Sequence, residues 1–146
     1  VRGERNRTEL ADRVEMALLN PAAAGDFPAT VRIGRPENKG GVGRRTAPYE
    51  VTCPMSELTF RDEDGSRVAI VEVTIAAAED TGARSAIKPE RRRLTIPADE
   101  WEKARVEAFV YRGELKTGKG NLRFVAGIRD VASGRMALAS TAVRVE

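Results

Sequence analysis

The spacing of apolar residues changes once along this chain. Over residues 8–20 (TELADRVEMALLN), Leu10, Val14, Ala17 and Leu18 recur at three- and four-residue intervals, which puts them on one face of a helix. Thr8 stands where a cap is expected, Glu9 and Asp12 suit the first turn, and Asn20-Pro21 stops the pattern. From Phe27 the period falls to two. Residues 30–35 alternate as a short strand. Tyr49, Val51, Cys53 and Met55 alternate with Glu50 and Thr52, and Pro54 implies an edge position or a bulge. Leu58 to Phe60 leads into the turn Asp62-Glu63-Asp64-Gly65. Val71, Val73, Ile75 and Ala77 then face one way, with Glu72 and Thr74 facing the other.

Glu79-Asp80-Thr81-Gly82 turns the chain, residues 83–87 return, Pro89 interrupts, and residues 93–96 resume as strand. Residues 98–104 (ADEWEKA) read as a helical turn with Trp101 over an end of the core. Residues 106–111 form a strand, and residues 113–121 a polar, glycine-rich turn. Leu122, Phe124, Ala126 and Ile128 alternate with Arg123, Val125, Gly127 and Arg129. Residues 130–134 (DVASG) make a hairpin. Residues 136–145 close the domain, with Thr141, Val143 and Val145 on one face. The segments 75–84 (IAAAEDTGAR) and 126–135 (AGIRDVASGR) echo one another, which reads as two hairpins of one design. Seven or eight short strands with a single helix predict an all-β fold. The expected form is an immunoglobulin- or fibronectin-III-like antiparallel β-sandwich with a short N-terminal helix. The helix and its linker occupy residues 1–26, and the sandwich residues 27–146. A parallel α/β sheet would need helices between its strands.

Composition narrows the function. The chain has 146 residues, 41% hydrophobic and only 5% aromatic, so Val, Ile, Leu and Ala must build the core. The net charge of +3 comes from interspersed acidic and basic residues, which argues against a nucleic-acid-binding face. No apolar run approaches the ~20 residues of a membrane span, so no membrane insertion is expected. The lone Cys53 forms no internal disulfide and leaves the redox compartment open; it reads as a core thiol. The charged opening with Arg2, Glu4, Arg5 and Arg7 reads as the middle of a longer chain.

No histidine is present, which removes Ser-His and Cys-His pairs and most zinc sites. The reading therefore assigns no catalytic, cofactor-binding or metal-binding residue and expects no enzyme. Gly113 to Gly120 (GELKTGKG) nearly matches a P-loop, but Gly120 replaces the magnesium-binding Ser or Thr and a strand follows instead of a helix. Gly40-Gly41-Val42-Gly43 lacks the third glycine of a dinucleotide fingerprint. Asp62 to Gly65 lacks the distal glutamate of a calcium loop, though the acidic turn leaves calcium open. Asp99, Glu100 and Glu102 read as a solvated helical turn, since nothing builds a substrate cleft around them. Arg91-Arg92-Arg93, with Lys88 before it, reads as edge-strand protection, with anion or acidic-partner binding as the rival. Any binding is expected on loops or sheet edges such as Lys39 to Arg45 or Arg91 to Arg93.

One pattern goes further. Ile128-Arg129-Asp130, then Ser133-Gly134-Arg135, then the small-residue strand from Ala137 to Val145 resembles the close of a known domain. It is the C-terminal β-sandwich that follows a von Willebrand factor A domain in the bacterial, chiefly acidobacterial, VWFA-related proteins. Leu18, Leu19 and Asp26-Phe27-Pro28 are similar to the entry of that domain. The resemblance implies an exported protein, extracellular or periplasmic, in which this piece is a non-catalytic interaction or structural module. Its partner is then a protein or a neighbouring domain of the same chain. The adhesion motif Asp-x-Ser-x-Ser would lie upstream. The alternative is a calcium- or carbohydrate-binding accessory domain of an enzyme, although sugar platforms need exposed aromatics and most of Trp101, Tyr49, Tyr111 and the few Phe are expected in the core.

Overall fold

The alternating run Val71, Val73, Ile75 and Ala77 becomes the inner face of the longest strand, about which the larger of two sheets is organised. The computed structural model describes residues 2–20, 23–38 and 43–146. Their strands are β1 (Thr30–Ile33), β2 (Arg45–Pro54), β3 (Arg61–Glu63), β4 (Ser66–Glu79), β5 (Arg84–Ala86), β6 (Glu90–Pro97), β7 (Ala108–Thr117), β8 (Gly120–Asp130) and β9 (Met136–Val145). The helices are α1 (Arg2–Leu19) and the single turn α2 (Trp101–Ala104), with 3-10 turns at Met55–Glu57 and Ala98–Glu100. One sheet runs β1-β2-β7, and the other β3-β4-β8-β9, with β5 and β6 on the opposite edge of β4. Every ladder is antiparallel.

The sheets share one core. Tyr49, Val51 and Cys53 of β2 and Phe109, Tyr111 and Leu115 of β7 meet Val71, Val73 and Ile75 of β4 and Phe124 and Ile128 of β8. The sheets also curl, because β1 lies beside β9 and β7 beside β5 without ladder pairing. The chain is therefore all-β with an N-terminal helix.

That helix packs on the outer face of the larger sheet. Val14, Ala17 and Leu18 pack with Ala76 and Val125. Gly127 makes the approach possible, since a Cβ there would fall 2.7 Å from Val14 Cγ2. The helix runs from Arg2, so Thr8 lies inside it and is not its cap. Glu72 and Thr74 do oppose Val71 and Val73, yet both are buried. Glu72 lies 3.1 Å from Arg129 on β8 and 3.7 Å from Arg91 on β6, so the sheet carries its own counter-ions at this depth.

Two prolines lie in β2. Pro54, expected at an edge or a bulge, is its last residue and pairs with Ala108 of β7, while the β1 ladder has ended at Thr52 and leaves its other side unpaired. Pro48 lies mid-strand, and its carbonyl accepts from Gly34 N on the β1 side. A strand residue points N–H and C=O to the same side, so the donor that Pro48 lacks is missing where β1 has already ended. Strand β7 also continues to Thr117 through the expected turn. Leu115 and Thr117 alternate inward, and Gly113 leaves room for the Tyr49 ring, whose hydroxyl a Cβ would meet at 2.5 Å. Val106 stays outside the strand and is exposed.

The echo of residues 75–84 and 126–135 is physical. Ile75 pairs with Ala126 in the ladder, and each segment ends in a hairpin closed by a glycine at positive φ, Gly82 at 96° and Gly134 at 78°. The β3–β4 hairpin uses Asp64 and Gly65, both at positive φ (49° and 79°), the backbone demanded by a tight two-residue turn.

Candidate interaction site at one end of the sheets

The β8–β9 turn is locked by its own sequence. Gly134 N donates to Asp130 O at 2.8 Å, Asp130 N donates to Arg135 O at 2.9 Å, and Arg135 N donates to Ser133 Oγ at 3.1 Å. The Asp130 carboxylate is fully buried and accepts three hydrogen bonds. They come from Thr59 N (3.1 Å), Thr59 Oγ1 (2.6 Å) and Ser133 Oγ (2.6 Å). Asp130 thus ties the turn to the segment from Leu58 to Phe60, which sequence spacing alone did not connect.

Arg135 completes the fastening. Its guanidinium lies 5.2 Å over the Phe27 ring and donates to Asp26 O (3.2 Å) and Glu57 Oε2 (3.0 Å). Asp26 adds itself to the start of β9, donating from N to Met136 O (2.6 Å) and accepting from Met136 N at Oδ2 (2.9 Å). Asp26-Phe27-Pro28 and Arg129-to-Arg135 therefore meet at one end of the sheets, over a hundred residues apart in sequence.

Beside this latch opens a cavity of about 410 Å³ lined by Ser56, Leu58, Thr59, Phe60, Arg67, Trp101 and Arg105. Trp101 does close an end of the core: its ring meets Phe60 at 4.7 Å, tilted by 57°, and Arg67 stacks over it at 5.0 Å. Thr59 belongs to both cavity wall and latch.

The residues singled out by pattern fall elsewhere. Each arginine of the basic run on β6 has a carboxylate partner within the chain: Arg91 faces Glu72, Arg92 bonds Glu90 and stacks over Tyr111, and Arg93 bonds Glu63. Asp62 and Glu63 neighbour one another in β3 but pair separately, with Arg67 and with Arg61 and Arg93. The hydrogen bond from Arg93 holds the Glu63 carboxyl below its ordinary range. Among the described residues no group of three or more Cys, Asp or Glu is placed to hold a metal ion. Gly113 to Gly120 forms the end of β7 and its turn. Asp99, Glu100 and Glu102 lie exposed on the turns around Trp101. Lys39 to Val42 lie outside the described residues; Gly43 and Arg44 are exposed, and Arg45 donates to Glu146 O at 2.9 Å. Burial pushes the Cys53 thiol up to about 12, with the Glu57 and Asp130 charges adding to the effect. Burial also raises Tyr49 and Tyr111, the latter helped by its hydrogen bond to Glu90. None of the three is ionised near neutral pH.

No helix among the described residues is long and apolar enough to cross a membrane. No family model matches the chain, and no curated protein matches it. Among solved structures, the chain is similar to one described as "X-ray structure of Northeast Structural Genomics Consortium target SoR45". The identity is 15%, the TM-score 0.45, and the match covers 85% of this chain and 88% of that one.

Proposed function

We propose that this chain is a non-catalytic interaction or structural module of a larger exported bacterial protein, standing after a von Willebrand factor A domain. In this reading the two curled sheets are a variant of the immunoglobulin- or fibronectin-III-like sandwich. One observation carries it. Two of the segments behind the family resemblance, Asp26-Phe27-Pro28 and the turn from Asp130 to Arg135, come together at one end of the sheets, where Arg135 donates to Asp26 O and stacks over Phe27. A pattern that serves the frame is what an accessory domain is expected to keep. Asp130, the buried carboxylate of that end, is fully engaged by Thr59 and Ser133.

A neighbouring domain of the same chain also suits the outer side of α1, where Met16 and Leu19 are 65% and 73% exposed. The test is to raise antibodies against this domain and probe fractions of the native cells. The expected result is a band far heavier than 15.9 kDa in the periplasmic or extracellular fraction. A band near that mass in the cytoplasm contradicts the proposal.

A further inference from the structure

We propose that the cavity beside Trp101 binds the carboxylate of an acidic sugar, a uronic acid residue. The inference goes beyond the module reading and holds whether or not a von Willebrand factor A domain precedes the chain. The cavity, about 410 Å³, falls within the roughly 300–1,000 Å³ of small-ligand sites, which suits one or two sugar rings. Phe60 and Trp101 are half-buried against one another and present only their remaining apolar surface to a pyranose, and Ser56 brings a hydroxyl to the same wall.

Two arginines supply the charge. Arg67 stacks on Trp101, which fixes the plane of its guanidinium and aims its N–H fork. Arg105 stands at the end of α2. Each already holds a carboxylate of the chain itself: Asp62 at 3.5 Å from Arg67, and Glu102 at 2.8 Å from Arg105. Those carboxylates are 84% and 80% exposed, and ion pairs so open to water contribute little. An incoming carboxylate replaces one of them in the same geometry, and the displaced side chain returns to water. The displaced carboxylate stays tethered beside the site, so every ligand charge adds to it, and a singly charged carboxylate meets less repulsion than a doubly charged phosphate ester. The concave shape favours a compact ring over an extended acidic peptide, which would need a groove or a sheet edge.

Trp101 is the chain's single tryptophan, so its fluorescence reports on this cavity alone. The whole chain is titrated with galacturonic acid, tri-galacturonate, neutral galactose trimer and a poly-glutamate peptide. Saturable change with a galacturonate form and none with the neutral trimer is expected. Arg105→Ala should weaken binding about tenfold with the far-UV circular dichroism unchanged. Glu102→Gln, which frees Arg105, should tighten it several-fold, an effect no purely structural role produces. Tri-galacturonate binding without the free acid points to a polysaccharide source, and equal binding to the free acid. Equal binding of the neutral trimer, preference for the peptide, or no saturable change with either galacturonate overturns the proposal.

Discussion

Replacing Asp130 by Ala removes the acceptor for three hydrogen bonds and should unfold the loop end before the sheets. The carboxylate is fully buried, and its donors are Thr59 N, Thr59 Oγ1 and Ser133 Oγ. Hydrogen bonds to a charged group contribute about 1.5–3 kcal/mol each. The full sum is not lost, because Thr59 and Ser133 lie at the surface and can turn to water, and the carboxylate's own desolvation is relieved. A loss of roughly 2–4 kcal/mol remains. In a domain of this size that corresponds to a fall in Tm of roughly 5–15 °C. Asp130→Asn keeps the shape: its oxygen still accepts from Thr59 N while both hydroxyls reverse to accept from the new amide N–H groups, so it should lose about half as much. Urea denaturation followed by Trp101 fluorescence gives the free energies, and a double-mutant cycle with Ser133→Ala should show coupling of about 0.5–1.5 kcal/mol. A loss below about 1 kcal/mol for Asp130→Ala, with no coupling, refutes the latch.

Other consequences are as direct. Arg129→Met should cost about 3–5 kcal/mol in chemical denaturation, because it strips a buried charge partner from Glu72, and adding Glu72→Leu should recover most of the loss. Gly127→Val should force α1 off the sheet, seen as dye binding to newly exposed apolar surface, since even a Cβ there sits 2.7 Å from Val14 Cγ2. The Cys53 thiol keeps its proton in the folded state up to about 12 but loses it near 9 when unfolded. Its contribution is therefore complete below about pH 9 and falls as pH rises through that window, by at most about 1.4 kcal/mol per unit. Cys53→Val should flatten the stability profile above about pH 9, measured by urea melts across that range.

Period-two alternation revealed β4 and β8 because Val71, Val73, Ile75 and Phe124 are apolar at every inward position. It missed the second half of β7, where Gly113 and Thr117 flank the one apolar inward residue, Leu115. Nor does alternation say what covers the opposite face. Glu72 and Arg129 look solvated in sequence and are buried by partners from other strands. The site was half legible. Trp101 at the end of the core and the Asp-x-x-Ser-Gly-Arg turn could be read, but Thr59, Asp26 and Arg67 meet them only through the fold. The basic run lies on β6, which pairs with β4 alone, as the edge-strand reading expects, and its arginines answer carboxylates of β4, β3 and β6 itself.

An accessory module of an exported adhesion-type protein, as proposed above, is encoded downstream of further domains. Sequencing the native gene upstream of Val1 should therefore reveal a signal peptide followed by a domain carrying Asp-x-Ser-x-Ser in the same reading frame. A start codon just before Val1, with neither feature, contradicts it.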